Sequence, residues 1–162
     1  MSIDQKPRYT SLHWLSLTVL ILLLDQGMKY LVVGSLPASR PLVILPSVEL
    51  VLSYNRGISF SRFQFAGDVQ RWPLVGLSIL ASGLLGWWLG RVPPGRPVLA
   101  MGLALILGGA LGNMLDRARI GSVIDFIHVF YKTWSFAVFN VADAAITMGV
   151  IAIVASARWS DD

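Results

Sequence analysis

The chain has 162 residues, of which 55% are hydrophobic and only 14% charged, and its mean hydropathy is +0.66. That balance excludes an ordinary soluble domain and identifies an integral membrane protein. The net charge of +4 comes without any long basic cluster, which excludes nucleic acid as a partner and leaves the surplus of Lys and Arg to membrane topology.

Four stretches, at about 12–33, 72–89, 98–115 and 138–157, are long enough to cross a hydrocarbon core of roughly 30 Å. The expected fold is an all-α integral membrane protein, one transmembrane domain over 1–162, with four spans and both termini on the same side. Lys6 and Arg8 precede the first stretch as they would in a secretory signal, but the stretch is too long and no small-residue cleavage pattern follows, so it reads as a mature helix. The loop over 34–71 opens on Leu36-Pro37-Ala38-Ser39-Arg40-Pro41, strong turn chemistry. Within it Val48, Leu50, Leu52 and Tyr54 alternate with Glu49, Val51 and Ser53, the period of a short strand with one apolar face, so a small sheet on the membrane surface is expected. Arg91-Val92-Pro93-Pro94-Gly95-Arg96-Pro97 reads as a tight turn between the second and third spans. Lys6, Arg8, Arg91, Arg96 and Arg158 are concentrated in short segments on the N-terminal side, and that density puts both termini in the cytoplasm. Gly86 with Gly90, and Gly108 with Gly112, have the spacing that lets helices approach closely in lipid.

Polar residues inside the spans carry the functional signal, because an ionisable group in hydrocarbon costs several kcal/mol, on the order of 3 to 10. Asp25 and Lys29 share a helix face and read as a positioning ion pair. Asn113, Asp116 and Arg117 share another at the end of the third span, where Asp116 and Arg117 can meet and the deeper Asn113 requires a partner in the bundle. Asn55 and Gly57 follow the expected strand in a polar turn. Asn140 and Asp143 lie three residues apart at the start of the fourth span, and Asp125 sits in the preceding segment, expected to be a loop. His128 reads as an interfacial side chain. With no cysteine and only two histidines far apart, no zinc ligand set exists and neither metal nor cofactor is expected.

A pair of aspartates at a wet membrane boundary is the equipment for peptide hydrolysis: one ionised carboxylate draws a proton from water, and the protonated one polarises the scissile carbonyl. A proton-coupled transporter is the other use of intramembrane acids. Transport sites lie near the midplane and often within internal repeats, whereas these polar groups sit toward one face and no repeat is visible.

Asp25-Gln-Gly-Met-Lys29, Tyr54-Asn55-Arg-Gly57, Gly112-Asn113-Met-Leu-Asp116-Arg117, Val-Ile-Asp125-Phe and Phe139-Asn140-Val-Ala-Asp143-Ala, in this order, closely resemble the motifs of bacterial lipoprotein signal peptidases (type II signal peptidases). The resemblance implies an aspartyl endopeptidase of the bacterial inner membrane that cleaves diacylglyceryl-modified prolipoproteins before the lipidated cysteine, with its site near the extracytoplasmic face. It implies that Asp125 and Asp143 are the catalytic dyad. It further implies that Asn55, Asn113, Arg117 and Asn140 hold substrate or order the dyad, and that Asp25, Lys29, Gly57 and Asp116 support them. The implied partners are lipid-modified prolipoproteins and membrane lipids, for a chain that acts as a monomer. A small extracytoplasmic β-sheet and a short surface helix or loop beside the site belong to the implied architecture. Ile58 and Ser59 depart from the pattern, since many members carry two alanines there.

Overall fold

The computed structural model describes residues 10–37, 40–57 and 70–158. The described residues hold four helices: α1 (Thr10–Ser35), α2 (Arg71–Leu89), α3 (Pro97–Ile120) and α4 (Val141–Arg158). The first three are long and apolar enough to cross a membrane, while the apolar part of α4, Val141–Ala157, is shorter. Four strands, β1 (Leu42–Leu45), β2 (Val48–Asn55), β3 (Val123–Tyr131) and β4 (Trp134–Ser135), form one antiparallel sheet in the order β1-β2-β3-β4. The helical bundle and the small sheet expected beside it are both present, the sheet having four strands. The expected surface helix or loop, together with Ile58 and Ser59, falls outside the described residues, as do Lys6 and Arg8.

Helix α3 is the axis on which α1, α2 and α4 pack. Its residues Leu99, Ala100, Leu103, Ala104 and Leu107 join Leu89 of α2 in a buried cluster, against which Trp14 and Leu17 of α1 rest. The outward faces stay apolar, with Leu23, Leu31, Leu77, Leu80 and Ile151 exposed, as expected of helices surrounded by lipid rather than water. Glycine sets the closeness of the contacts. A Cβ on Gly102 would lie 2.8 Å from the Gly149 carbonyl oxygen and one on Gly149 2.6 Å from that of Gly102, so α3 and α4 touch backbone to backbone. Gly109 is pressed against the Ala142 carbonyl in the first turn of α4, and Gly108 meets Thr18 and Ile21 of α1. Of the two expected glycine pairs, Gly108 and Gly112 pack helices. Gly86 meets nothing within 4 Å among the described residues, and Gly90 ends α2, its nearest neighbours being carbonyls of its own helix.

Two boundaries differ from the expected spans in ways that shape the site. Helix α3 continues past residue 115 to Ile120, carrying Asp116 and Arg117 inside it, and stops at Gly121, whose φ of 76° is the left-handed cap glycine adopts freely. Charge halts a hydropathy window but not a helix whose carboxylate finds a buried cation. At the other end, Val138–Asn140 is not helical. Phe139 bridges to Ile127, accepting hydrogen bonds from the N–H groups of Phe126 and Ile127 at 3.0 and 2.8 Å, so α4 begins only at Val141. The segment around Asp125, expected to be a loop, is strand β3.

Candidate active site

Asp125 projects from β3 and Asp143 from the first turn of α4, and both line one cleft of 730 Å³. Asn55, Asn113 and Arg117 line it too, while Leu77 and Ala81 of α2 with Ile146 and Met148 of α4 make its apolar walls. Asn140 is fully buried beneath the carboxylates.

The local sequence explains how Asp143 is held. Asn140 Oδ1 accepts the Asp143 N–H at 2.9 Å, and Asp143 Oδ2 accepts the Asn140 N–H at 3.3 Å, a reciprocal cap on the free donors of the α4 N-terminus. Asp143 Oδ1 accepts a 2.8 Å bond from Asn113 Nδ2. Asp143 is thus both a helix cap and a group facing the cleft, and its negative charge is favoured at the positive end of the helix dipole. Asn140 Nδ2 turns the other way, donating to Asp125 Oδ1 at 2.7 Å, to the Ile124 carbonyl at 3.2 Å and to Asn113 Oδ1 at 3.1 Å. One asparagine therefore contacts both aspartates.

The second oxygen of Asp125 is held from β2. Asn55 Oδ1 accepts the Gly57 N–H at 3.0 Å, which fixes the amide so that its Nδ2 donates to Asp125 Oδ2 at 3.2 Å. Arg117 Nη2 donates to the Gly57 carbonyl at 3.3 Å, and its Nε is buried without a partner among the described residues. The Asp125 pKa is raised to about 7, by burial first and then by the negative charge of Asp143, against the opposing hydrogen bonds from Asn55 and Asn140 and the charge of Lys29.

Asp25, Lys29 and Asp116 lie behind the cleft rather than in it, and all three are buried. Lys29 Nζ sits 2.7 Å from Asp25 Oδ2, 2.7 Å from Asp116 Oδ2 and 3.1 Å from Asn113 Oδ1, which uses all three ammonium donors. The expected Asp25–Lys29 pair is thus a trio with Asp116. Each carboxylate also grips backbone: Asp25 Oδ1 accepts the Ala142 N–H at 3.0 Å, and Asp116 Oδ2 accepts the Ile124 N–H at 3.2 Å. Ala142 and Ile124 immediately precede Asp143 and Asp125. The trio therefore anchors the two backbone positions from which the cleft carboxylates project.

Gln26 was not anticipated. Its Nε2 donates to Asp25 Oδ2 at 3.1 Å, to the Gly112 carbonyl at 3.2 Å and to Asp116 Oδ1 at 3.0 Å. Adjacent residues do not share a helix face, so the i, i+4 rule that singled out Asp25 and Lys29 passes over it. The close approach of α1 at Gly112 brings Gln26 into reach: a Cβ there would lie 2.6 Å from Asp25 Oδ2.

The same arrangement of elements occurs in two solved bacterial membrane enzymes, both determined by the in meso method. One, at 2.3 Å resolution, has a TM-score of 0.82 over 93% of this chain and 90% of its own, with 22% identity. The other, at 1.9 Å, has a TM-score of 0.78 over 89% and 91%, with 23% identity. At these identities they establish the fold. Sequence relatives are closer. The lipoprotein signal peptidase of Pseudoalteromonas translucida (strain TAC 125) is 46% identical over 86% of this chain and 84% of its own length. Those of Methylobacterium sp. (strain 4-46) and Acinetobacter baumannii (strain ATCC 17978) are each 44% identical, over 86% and 89% of this chain and 85% and 82% of theirs. The family model for signal peptidase (SPase) II matches residues 17–158, which takes in every side chain of the cleft, and the chain belongs to the signal peptidase II family.

Proposed function

We propose that this chain removes signal peptides from diacylglyceryl-modified prolipoproteins, cutting before the lipidated cysteine, as an intramembrane aspartyl endopeptidase whose dyad is Asp125 and Asp143. The observation that carries the reading is the convergence of two carboxylates, one from a strand and one from a helix, on a single cleft with a polar floor and apolar walls. Around them Asp25, Asp116, Asp125 and Asp143 outnumber the two cations Lys29 and Arg117, so full ionisation leaves excess negative charge in a largely buried site, and the pair retains a proton between them. A carboxyl held near 7 is half protonated at neutral pH, which supplies an acid and a base together.

The ionised aspartate takes a proton from a water whose oxygen adds to the scissile carbonyl, and the protonated aspartate passes its proton to the carbonyl oxygen. Collapse of the tetrahedral intermediate returns a proton to the leaving amine and restores the pair. Asn113 and Asn140 fix the carboxylates. Asn55 and Arg117, on the cleft wall, are suited to hold the substrate backbone. Gly57 keeps their loop in place, and Asp25, Lys29 and Asp116 set the backbone behind them. The apolar walls, open to lipid, are suited to receive the acyl chains of the substrate.

In this reading all four helices cross the bacterial inner membrane, both termini are cytoplasmic, and the sheet and cleft lie at the extracytoplasmic face of a monomer. The test is cleavage of a lipidated precursor in detergent by Asp125→Asn and Asp143→Asn, each expected to be inactive while remaining folded. Normal cleavage by either variant removes that residue from the dyad, and equal turnover of unlipidated precursor removes the lipid from recognition.

A further inference from the structure

The sheet holds a second hydrogen-bonded chain that the dyad does not use. His128 Nδ1 lies 2.8 Å from Glu49 Oε1, and its Nε2 lies 2.7 Å from Ser135 Oγ, so one imidazole joins β2, β3 and β4. Glu49 stands directly opposite His128 in the pairing of β2 with β3, and Ser135 opposite Phe130 in that of β3 with β4. Serine, histidine and carboxylate in this order resemble a nucleophile relay. A relay also needs free N–H donors for an oxyanion, and the adjacent Phe136 N–H is already committed to the Val129 carbonyl at 2.9 Å. The geometry is that of a tie.

The tie stands on one side of a register shift. Toward the turn with β1, Val48, Glu49 and Leu50 pair with Val129, His128 and Ile127; toward the cleft, Ser53, Tyr54 and Asn55 pair with Asp125, Ile124 and Val123. Between these blocks β2 carries Val51 and Leu52 opposite Phe126 alone, a bulge of one extra residue adjacent to Asp125. Two registers need two sets of pins, because a continuous ladder without the bulge makes more backbone bonds. On the cleft side the pins are Asn55 on Asp125 and Asp116 on the Ile124 N–H. On the far side Val48, Leu50, Ile127 and Val129 share one face and Glu49 and His128 the other, so a slip of one residue carries Glu49 in among Ile127 and Val129 and breaks its bond to His128. The Phe139 carbonyl bonds β3 without regard to which residue of β2 faces it. Among the described residues the Glu49–His128–Ser135 tie is the polar side-chain contact that pins this register there.

We infer that His128 is a positioning residue for proteolysis: by holding β2, β3 and β4 in their far-side register it preserves the bulge, and the bulge sets the aim of Asp125 into the cleft. The consequence for turnover rests on Asp125 belonging to the dyad, whereas the consequence for register does not.

The chain has no cysteine, so introduced pairs report strand register cleanly. Leu50→Cys with Ile127→Cys reports the observed register, and Val51→Cys with Ile127→Cys the bulge-free one. With His128 present, oxidation in membranes is expected to cross-link the first pair; with His128→Ala, the second. In the cysteine-free chain, His128→Ala is expected to lower kcat on a lipidated precursor by on the order of 10²-fold, with KM changed by less than about twofold. Glu49→Cys with His128→Cys, directly opposed, is expected to restore turnover when oxidised and to lose it when reduced. An unchanged cross-linking pattern in His128→Ala overturns the inference, whatever happens to kcat. Labelling of Ser135 by a fluorophosphonate overturns it in favour of a nucleophile. Asp125→Asn, assayed in parallel, separates the two readings: if it cleaves normally the dyad assignment falls, while the cross-links still decide the role of His128.

Discussion

Replacing Lys29 by Met keeps most of the volume of the side chain and removes its charge from between two buried carboxylates. Each Lys29 contact, at 2.7 Å to Asp25 and to Asp116, is a Coulomb attraction of about 6 kcal/mol at an effective permittivity of about 20. Desolvation of the three groups offsets much of this. Breaking a buried pair by removing one partner nevertheless costs about 3–5 kcal/mol, because the remaining charges are left uncompensated. For a chain of this length that corresponds to a fall in Tm of roughly 6–20 °C. Unfolding followed by tryptophan fluorescence in detergent measures it. The triple variant Lys29→Met/Asp25→Asn/Asp116→Asn, which removes the stranded charges with their counterion, is expected to recover at least half of the loss. Cleavage is expected to fall in both variants, since the carboxylates of the trio grip the Ala142 and Ile124 N–H groups. A single variant within about 1 kcal/mol of the parent, or a triple variant no more stable than the single one, refutes the reasoning.

The Asp125 carboxyl, raised from 3.8 to about 7, makes stability depend on pH. Between these values the folded chain holds a proton that the unfolded chain has released, so the contribution is complete below about pH 4, is lost as pH rises toward 7 and is absent above, on the order of 4 kcal/mol in all. Asp125→Asn is expected to flatten that slope in denaturation series at pH 5 and pH 8; an unchanged slope assigns it to other groups. Gly109→Ala forces a methyl group into the Ala142 carbonyl at the start of α4, so it is expected to lower activity by at least about tenfold through displacement of Asp143. Gly86→Ala, which meets open space, leaves activity unchanged. Equal effects in the cleavage assay contradict the contact.

The apolar spans were legible because hydropathy over a window of about 20 residues averages away local detail. The boundaries that form the site were not. Asp116 and Arg117 read as the polar end of a span, yet the helix runs on through them because Lys29 of α1 neutralises Asp116. Val138 and Phe139 read as helix because they are apolar, yet neither is helical and Phe139 pairs with β3. β3 itself, Val-Ile-Asp-Phe-Ile-His-Val-Phe-Tyr, has the β-branched and aromatic content of a strand. As a sequence it reads as a loop, because it has no regular polar alternation to mark one face.

By itself the sequence determined that the chain lives in a bilayer, that its charged residues inside apolar stretches require partners, and which residues in five spaced motifs would supply them. Composition and spacing along a helix suffice for that, because the cost of an unpaired charge in hydrocarbon is set by the residue and not by the fold. Beyond the local pair of Asp25 with Lys29, tertiary structure decided who pairs with whom. That Lys29 serves two carboxylates, that those carboxylates hold the backbones of α4 and β3, and that Asn140 touches Asp125 as well as Asp143 all depend on α1 and α4 meeting α3 at glycines, with β3 laid against them. The residues in these contacts are up to 117 positions apart, and no periodicity along one element encodes an approach between several.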